Sequence, residues 1–220
     1  LGEKIITRLR NRTNSIVNRS FPFFEKIGFH ILPFSFYSPI PKVNSLPSKI
    51  FERISECPGI SWNKSEQIDL LQNELSKYCQ ETVFEKNEGL NVHDAAILHS
   101  IIRTYKPKRI IEIGAGQSTL FIMRALDLNR IEGYNSKFTS IEPFLNRHLR
   151  KLLPSTLDLL EKEVQTVPVE FFSDCDLLFI DSSHVAKIGS DVIYEVLEII
   201  PKLKPGCLVH FHDIKLPAEY

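Results

Sequence analysis

Eleven residues constrain the fold more than any other part of the chain: Arg109-Ile-Ile-Glu-Ile-Gly-Ala-Gly-Gln-Ser-Thr119. A short β-branched run reaches an acid, Glu112. Gly114 and Gly116 then mark a tight turn, and Ser118 and Thr119 open a helix. Strand, glycine turn and helix in that order form the ligand-cradling corner of a doubly wound α/β domain. Glycine suits such a turn because it tolerates positive φ and lets a ligand approach bare backbone. The dinucleotide-binding version has a third glycine, where Thr119 stands here, and usually lacks an acid inside the strand end. A carboxylate at Glu112 favours a ligand that carries an amine and no pyrophosphate.

From there helical and apolar segments alternate. Strands are expected near 109–113, 138–142, 164–169, 176–180 and 207–212, with helices at 118–127, 146–153 and 191–200. Two more helices, 65–78 and 94–105, precede the first strand. Ala95, Leu98, Ile101 and Ile102 share one face of the second, and Pro107 closes it. Ser190 or Asp191 can cap the helix after the fourth strand; Pro201 ends it, and Lys202 and Lys204 suit its negative end. Strands alternating with helices imply a parallel sheet. The expected fold is therefore α/β, a doubly wound Rossmann-like sheet over residues 61–220. Residues 1–60, rich in Phe, Pro, Ser and Asn without a sustained period, read as an irregular or helical extension. Its aromatics (Phe21, Phe23, Phe24, Phe29, Phe34, Phe36 and Tyr37) either pack on the main domain or serve as a substrate lid or oligomer contact.

Lys+Arg and Asp+Glu both number 27, so no net field draws the whole chain to nucleic acid or an acidic membrane surface. The most apolar stretch, 21–40, is interrupted by Pro22, Glu25, Lys26, Pro33 and Pro39 and is not expected to span a bilayer. Cys57, Cys79, Cys175 and Cys207 form no C-x-x-C pair, and thiols in or near a core point to a reducing cytoplasm. No signal peptide is read in the charged, mixed start. The first residue is Leu1 and the last follows the fifth strand closely, so the chain reads as a fragment.

Sheets of this kind bind ligands beyond the carboxyl ends of their strands, where strand order reverses. The residues expected there are Glu112, Glu142, Asp181 and the pair His212-Asp213. Glu142 follows the glycine turn by about 30 residues, close to the place where an acid grips ribose hydroxyls. A polar insertion at 127–137 accounts for the extra length. Asp176-Leu-Leu-Phe-Ile-Asp-Ser-Ser-His184 delivers a carboxylate, Asp181, from a buried strand and an imidazole on the following loop. In Leu208-Val-His-Phe-His-Asp213, His210 and His212 share a face; His210, one pleat deeper, reads as a core histidine. Asp181, His184, His212 and Asp213 can form a hard-cation site, or a base with its orienting carboxylate. Histidine suits the second role because it titrates near neutral pH. A ligand with an amine describes S-adenosylmethionine better than NAD.

Taken in order, the glycine turn, Ser140-Ile-Glu142, Phe179-Ile-Asp-Ser-Ser-His184 and His210-Phe-His-Asp213 resemble the class I S-adenosylmethionine-dependent methyltransferases. The narrower likeness is to the subgroup with Asp-x-x-His after strand four and His-Asp after strand five, methyltransferase domain 24-like. It runs from about His93 onward, and more faintly from Ser61-Trp62. The resemblance implies a sheet order of 3-2-1-4-5 and S-adenosylmethionine as cofactor. Glu112, Gly114 and Gly116 would border its methionine part, Glu142 its ribose and residues near 163–167 its adenine. Ser118 and Asp181 complete the implied cofactor contacts. Similar sugar O-methyltransferases of antibiotic pathways imply Asp181 and Asp213, with His212 beside them, as ligands of Mg2+ or another divalent cation. They also imply His184 as catalytic base, with Asp181. Those enzymes carry an acid where this chain has His212, and further strands after strand five.

The implied function is O-methylation of a hydroxyl on a small metabolite, such as a sugar or glycosylated natural product. The implied protein is a cytoplasmic enzyme with no nucleic-acid partner and no membrane span, and with homo-oligomerisation open. Two other readings remain: a non-catalytic methyltransferase-like binding module and a metal-dependent hydrolase.

Overall fold

Five short apolar-rich runs become strands β1 (Arg109–Ile113), β2 (Lys137–Ile141), β3 (Asp158–Leu160), β4 (Leu177–Ile180) and β5 (Leu208–Phe211); the central β1 and β4 are buried along their whole length. They form one sheet in the order β3-β2-β1-β4-β5, and every pairing is parallel. The computed structural model describes residues 2–31, 40, 44, 46–82, 90–155 and 157–218, so Phe34, Phe36 and Tyr37 lie outside the described residues. The chain divides into two units, Leu1–Glu56 with Leu216–Tyr220, and Cys57–Lys215.

In the second unit the helices are α2 (Lys64–Asp69), α3 (Val92–Tyr105), α4 (Gln117–Ile131), α5 (Arg147–Leu152) and α6 (Asp191–Tyr194), the first helix of the chain being described below. Each face of the sheet carries its own core. Ile110, Phe138, Leu177 and Phe179 pack against Leu98 and Ile102 of α3 and Ile122 and Ala125 of α4. On the opposite face Ile111, Ile113, Ile141, Leu178 and Ile180 pack against Val164, Val167, Phe172 and Ile199. The side-chain alternation of β1 thus assigns Ile110 and Glu112 to the α3/α4 face.

Three expectations change. Strand three is Asp158–Leu160, not 164–169, where Val164–Thr166 and Val169–Phe172 form short 3₁₀ helices. Val164 and Val167 are both buried, at the three-residue spacing of such a helix, and not on alternate faces. Residues 127–131, expected in a polar insertion, continue α4. Lys204 does not serve the helix end: its ammonium bonds Asp176 and the Asp174 carbonyl. The helix beginning at α6 widens over Glu195–Ile199 and tightens over Ile200–Lys202, the turn that contains Pro201. Ser190, not Asp191, caps it, accepting from the Ile193 N–H at 3.3 Å.

The first unit holds a 25-residue helix, α1 (Gly2–Lys26). Its end is a Schellman turn: Gly28, at φ 87°, donates to Glu25 O, and Phe29 N–H reaches Phe24 O at 2.9 Å. An antiparallel bridge joins Ile54 to Ala218. Among the described residues no helix is long and apolar enough to cross a membrane.

Candidate functional site

The parallel ladder runs one residue past each strand, which brings four chemically active positions to one level. Gly114 N–H bonds Ile141 O, Glu142 N–H bonds Leu160 O, Asp181 N–H bonds Ile113 O and His212 N–H bonds Ile180 O, at 2.8–3.0 Å. These positions follow the carboxyl ends of β1, β2, β4 and β5, the edge at which such sheets bind ligands.

A cleft of about 520 Å³ opens there, a size that suits a nucleoside-bearing ligand. Gly114, Glu142 and Asp181 line it, with Glu163 to Gln165 on one side and Ser182, Lys187 and Asp191 on another. Gly114 sits at φ 92°, and a Cβ there would stand 2.0 Å from the Asp181 carbonyl oxygen. Only glycine lets β1 and β4 approach so closely. Gly116 has no such demand: its φ is −152°, and a Cβ would meet Ser118 Oγ at an ordinary 3.8 Å. The Glu142 carboxylate is held toward the glycine turn by Phe144 N–H at 2.6 Å and Ala115 N–H at 3.3 Å.

Glu112 lies behind the wall of the cleft. It is fully buried and accepts from Ser118 Oγ (2.7 Å), Thr119 Oγ1 (2.7 Å) and Ser140 Oγ (2.6 Å). Burial pushes its carboxyl up to about 7, against the three hydroxyls, which favour the ionised form. Thr119 also accepts from Gly116 N–H at 3.1 Å, so the residue in place of a third glycine knots turn, helix and strand together. Glu112, Gly116 and Ser118 shape the turn without lining the cleft.

Asp181 links the cleft to a second group of side chains. His184 Nε2 stands 3.2 Å from Asp181 Oδ1, and His184 adopts a left-handed φ of 57° that turns the loop back. One potential ligand atom each from Asp181, His212 and Asp213 lie within 4.8 Å of one another. Asp213 is exposed at φ 56°, and His212 is buried. His210 and His212 pack on Phe179 with ring centroids at 4.7 and 5.8 Å. Burial, then the neighbouring His212, lowers the pKa of His210, which is half-buried and not part of the core.

One residue near the cleft has no expectation attached to it. Glu195 is 1% exposed and accepts from Ser182 Oγ at 3.0 Å. Its other oxygen has no hydrogen-bond partner among the described residues. Burial pushes this carboxyl up to about 7. The signal was present in the chain: Glu195 precedes the buried Ile199 by one helical turn, on the face that packs inward.

A family model described as a methyltransferase domain matches residues 111–214. An uncharacterized protein of Archaeoglobus fulgidus is similar, 31% identical over 187 residues, which cover 76% of this chain and 83% of that protein.

Proposed function

From the premise that the chain belongs to the class I S-adenosylmethionine-dependent methyltransferases, we propose that it methylates a hydroxyl of a small metabolite, such as a sugar or glycosylated natural product. The observation that carries this reading is the placement of Asp181, which lines the cleft, pairs with His184 at 3.2 Å and has a ligand atom within 4.8 Å of those of His212 and Asp213. A cofactor side and an acceptor side thus meet at one carboxylate.

The cleft suits the cofactor in size, Gly114 and Asp181 line it side by side, and Glu142 presents carboxylate oxygens suited to paired ribose hydroxyls. Gly114 and Asp181 would border the methionine part, and Glu112, Gly116 and Ser118 would hold the turn that shapes it. When bound, S-adenosylmethionine supplies a methyl already activated on a sulfonium. The chain's own task is to orient an acceptor oxygen in line and remove its proton. His184 takes that proton, and Asp181 holds the imidazole and stabilises its charged form. Asp181, His212 and Asp213 offer a nitrogen and carboxylate oxygens to a divalent cation such as Mg2+. An ion held there would acidify an acceptor hydroxyl bound to it.

Calorimetry of the full chain with S-adenosylmethionine tests the reading; no heat at millimolar ligand sinks it. Transfer of labelled methyl to a panel of sugars and glycosides then identifies the acceptor. His184→Ala is expected to slow transfer by roughly 10²–10⁴-fold with cofactor affinity unchanged. Full turnover in that variant removes the base assignment and leaves the cofactor assignment standing.

A further inference from the structure

The whole chain is electrically balanced, but α1 is not. It carries Lys4, Arg8, Arg10, Arg12, Arg19 and Lys26 against Glu3 and Glu25. At about 100° per residue, Ile16 and Phe23 fall within about 20° of each other, and Val17 and Phe24 widen that stripe to about 120°. The same period sets Arg19 and Lys26 along one border of the stripe. Ser20 lies inside the stripe, but its hydroxyl donates to the Val17 carbonyl at 2.9 Å, so its polarity is satisfied within the helix. Ile16 and Phe23 are 68% and 63% exposed, and beyond the helix end Ile27 and Phe29 are 53% and 62% exposed. A contiguous apolar surface with a polar rim marks an interaction site.

We propose that α1 and the Gly28 turn dock on a membrane surface that carries anionic lipid. The apolar stripe enters the boundary between headgroups and acyl chains, and the bordering cations meet lipid phosphates. The charge pattern selects this occupant. Cations along the border of an apolar stripe sit at headgroup depth when the helix lies flat, and long basic side chains bury their stems while the charge stays at the phosphate level. Each basic residue near such a surface adds attraction. The helix does not cross the bilayer, because basic residues recur along its whole length. This docking is independent of the chemistry assigned to the cleft.

Co-sedimentation of the full chain with vesicles tests the proposal. Partitioning is expected to be at least tenfold stronger on phosphatidylglycerol mixed with phosphatidylcholine than on phosphatidylcholine alone, and to collapse in molar salt. Phe23→Asp, and separately the pair Arg12→Glu with Arg19→Glu, should each weaken it at least tenfold without altering far-ultraviolet circular dichroism. Should Phe23→Asp misfold, the arginine pair decides alone. Equal partitioning on both vesicle types, none on either, or indifference to the arginine pair overturns the proposal. So does a dimer in sedimentation velocity that Phe23→Asp dissociates while vesicles go unbound; the stripe then covers a second copy of the chain.

Discussion

Three hydroxyls donate to Glu112 and each favours its ionised form, yet complete burial prevails and lifts the group from the ordinary 4.5 to about 7. The folded chain therefore holds this proton more tightly than the unfolded chain. The associated stability is fully present below about pH 4.5 and is lost as pH rises through about 7. A shift of this size corresponds to about 3 kcal/mol. Glu112→Gln removes the titration, so the difference in unfolding free energy between wild type and variant should move by about that amount between pH 4.5 and 7.5, to the disadvantage of wild type. Glu195, lifted in the same direction, remains in both proteins and cancels. Urea unfolding across that range checks it, and a constant difference would show that the hydroxyls, not burial, govern the site. The strand end itself was legible in the chain, since Glu112 follows an apolar run and precedes Gly114. Its inward direction was equally readable, because alternation groups it with Ile110. Which of the two facts mattered depended on Ser140, 28 residues away on a neighbouring strand.

Elements are held together by residues whose partners lie far along the chain. Arg103 on α3 is buried and bonds Glu81 at 2.8 Å, as well as Asn129 of α4 and Glu132 just beyond it. His99, one turn earlier, shares Glu81 at 2.9 Å. The guanidinium ties the segment around 79–82 to α3 and α4, and these contacts hold its charge on despite burial. Removing one member of a buried ionic network leaves the others unpaired, so Arg103→Leu should cost about 3 kcal/mol or more. Glu132 is 41% exposed, where an ion pair is screened by solvent, so Glu132→Gln should cost clearly less than Arg103→Leu. Denaturant unfolding of the two variants checks the ranking; equal losses would mean that Glu132, not the half-buried Glu81 with the buried His99, anchors the arginine. The apolar face of α3 was evident from Ala95, Leu98 and Ile102, whereas Arg103 read as an ordinary helix cation. Strand three escaped for a related reason. Asp158-Leu-Leu is too short to show a period, while Val164 and Val167 imitate one.

At the scale of the molecule, the strand order implied by the family resemblance matches the sheet, because β-branched runs and their connecting helices leave few alternatives. The division into two units was not legible in the same way, since it depends on residues 216–218 returning to the first, where Ala218 pairs with Ile54. A ligand in the cleft contacts the tips of β1, β2 and β4 at once, so its binding free energy adds to the cohesion of the Cys57–Lys215 unit. At a hundredfold excess over Kd that gain is about 2.7 kcal/mol, which for a chain of this size raises Tm by roughly 5–10 °C. S-adenosylhomocysteine is the appropriate probe, because under the proposed assignment it would bind in the cleft without transferring a group. Glu142→Ala removes a carboxylate that lines the cleft and should abolish most of the shift. Glu112→Gln, behind the wall, should alter the starting Tm and retain most of the shift. Scanning calorimetry with and without the ligand separates the two effects. A shift that survives Glu142→Ala and vanishes in Glu112→Gln would mean that the ligand grips the buried knot of the glycine turn, not the open carboxylate beside it.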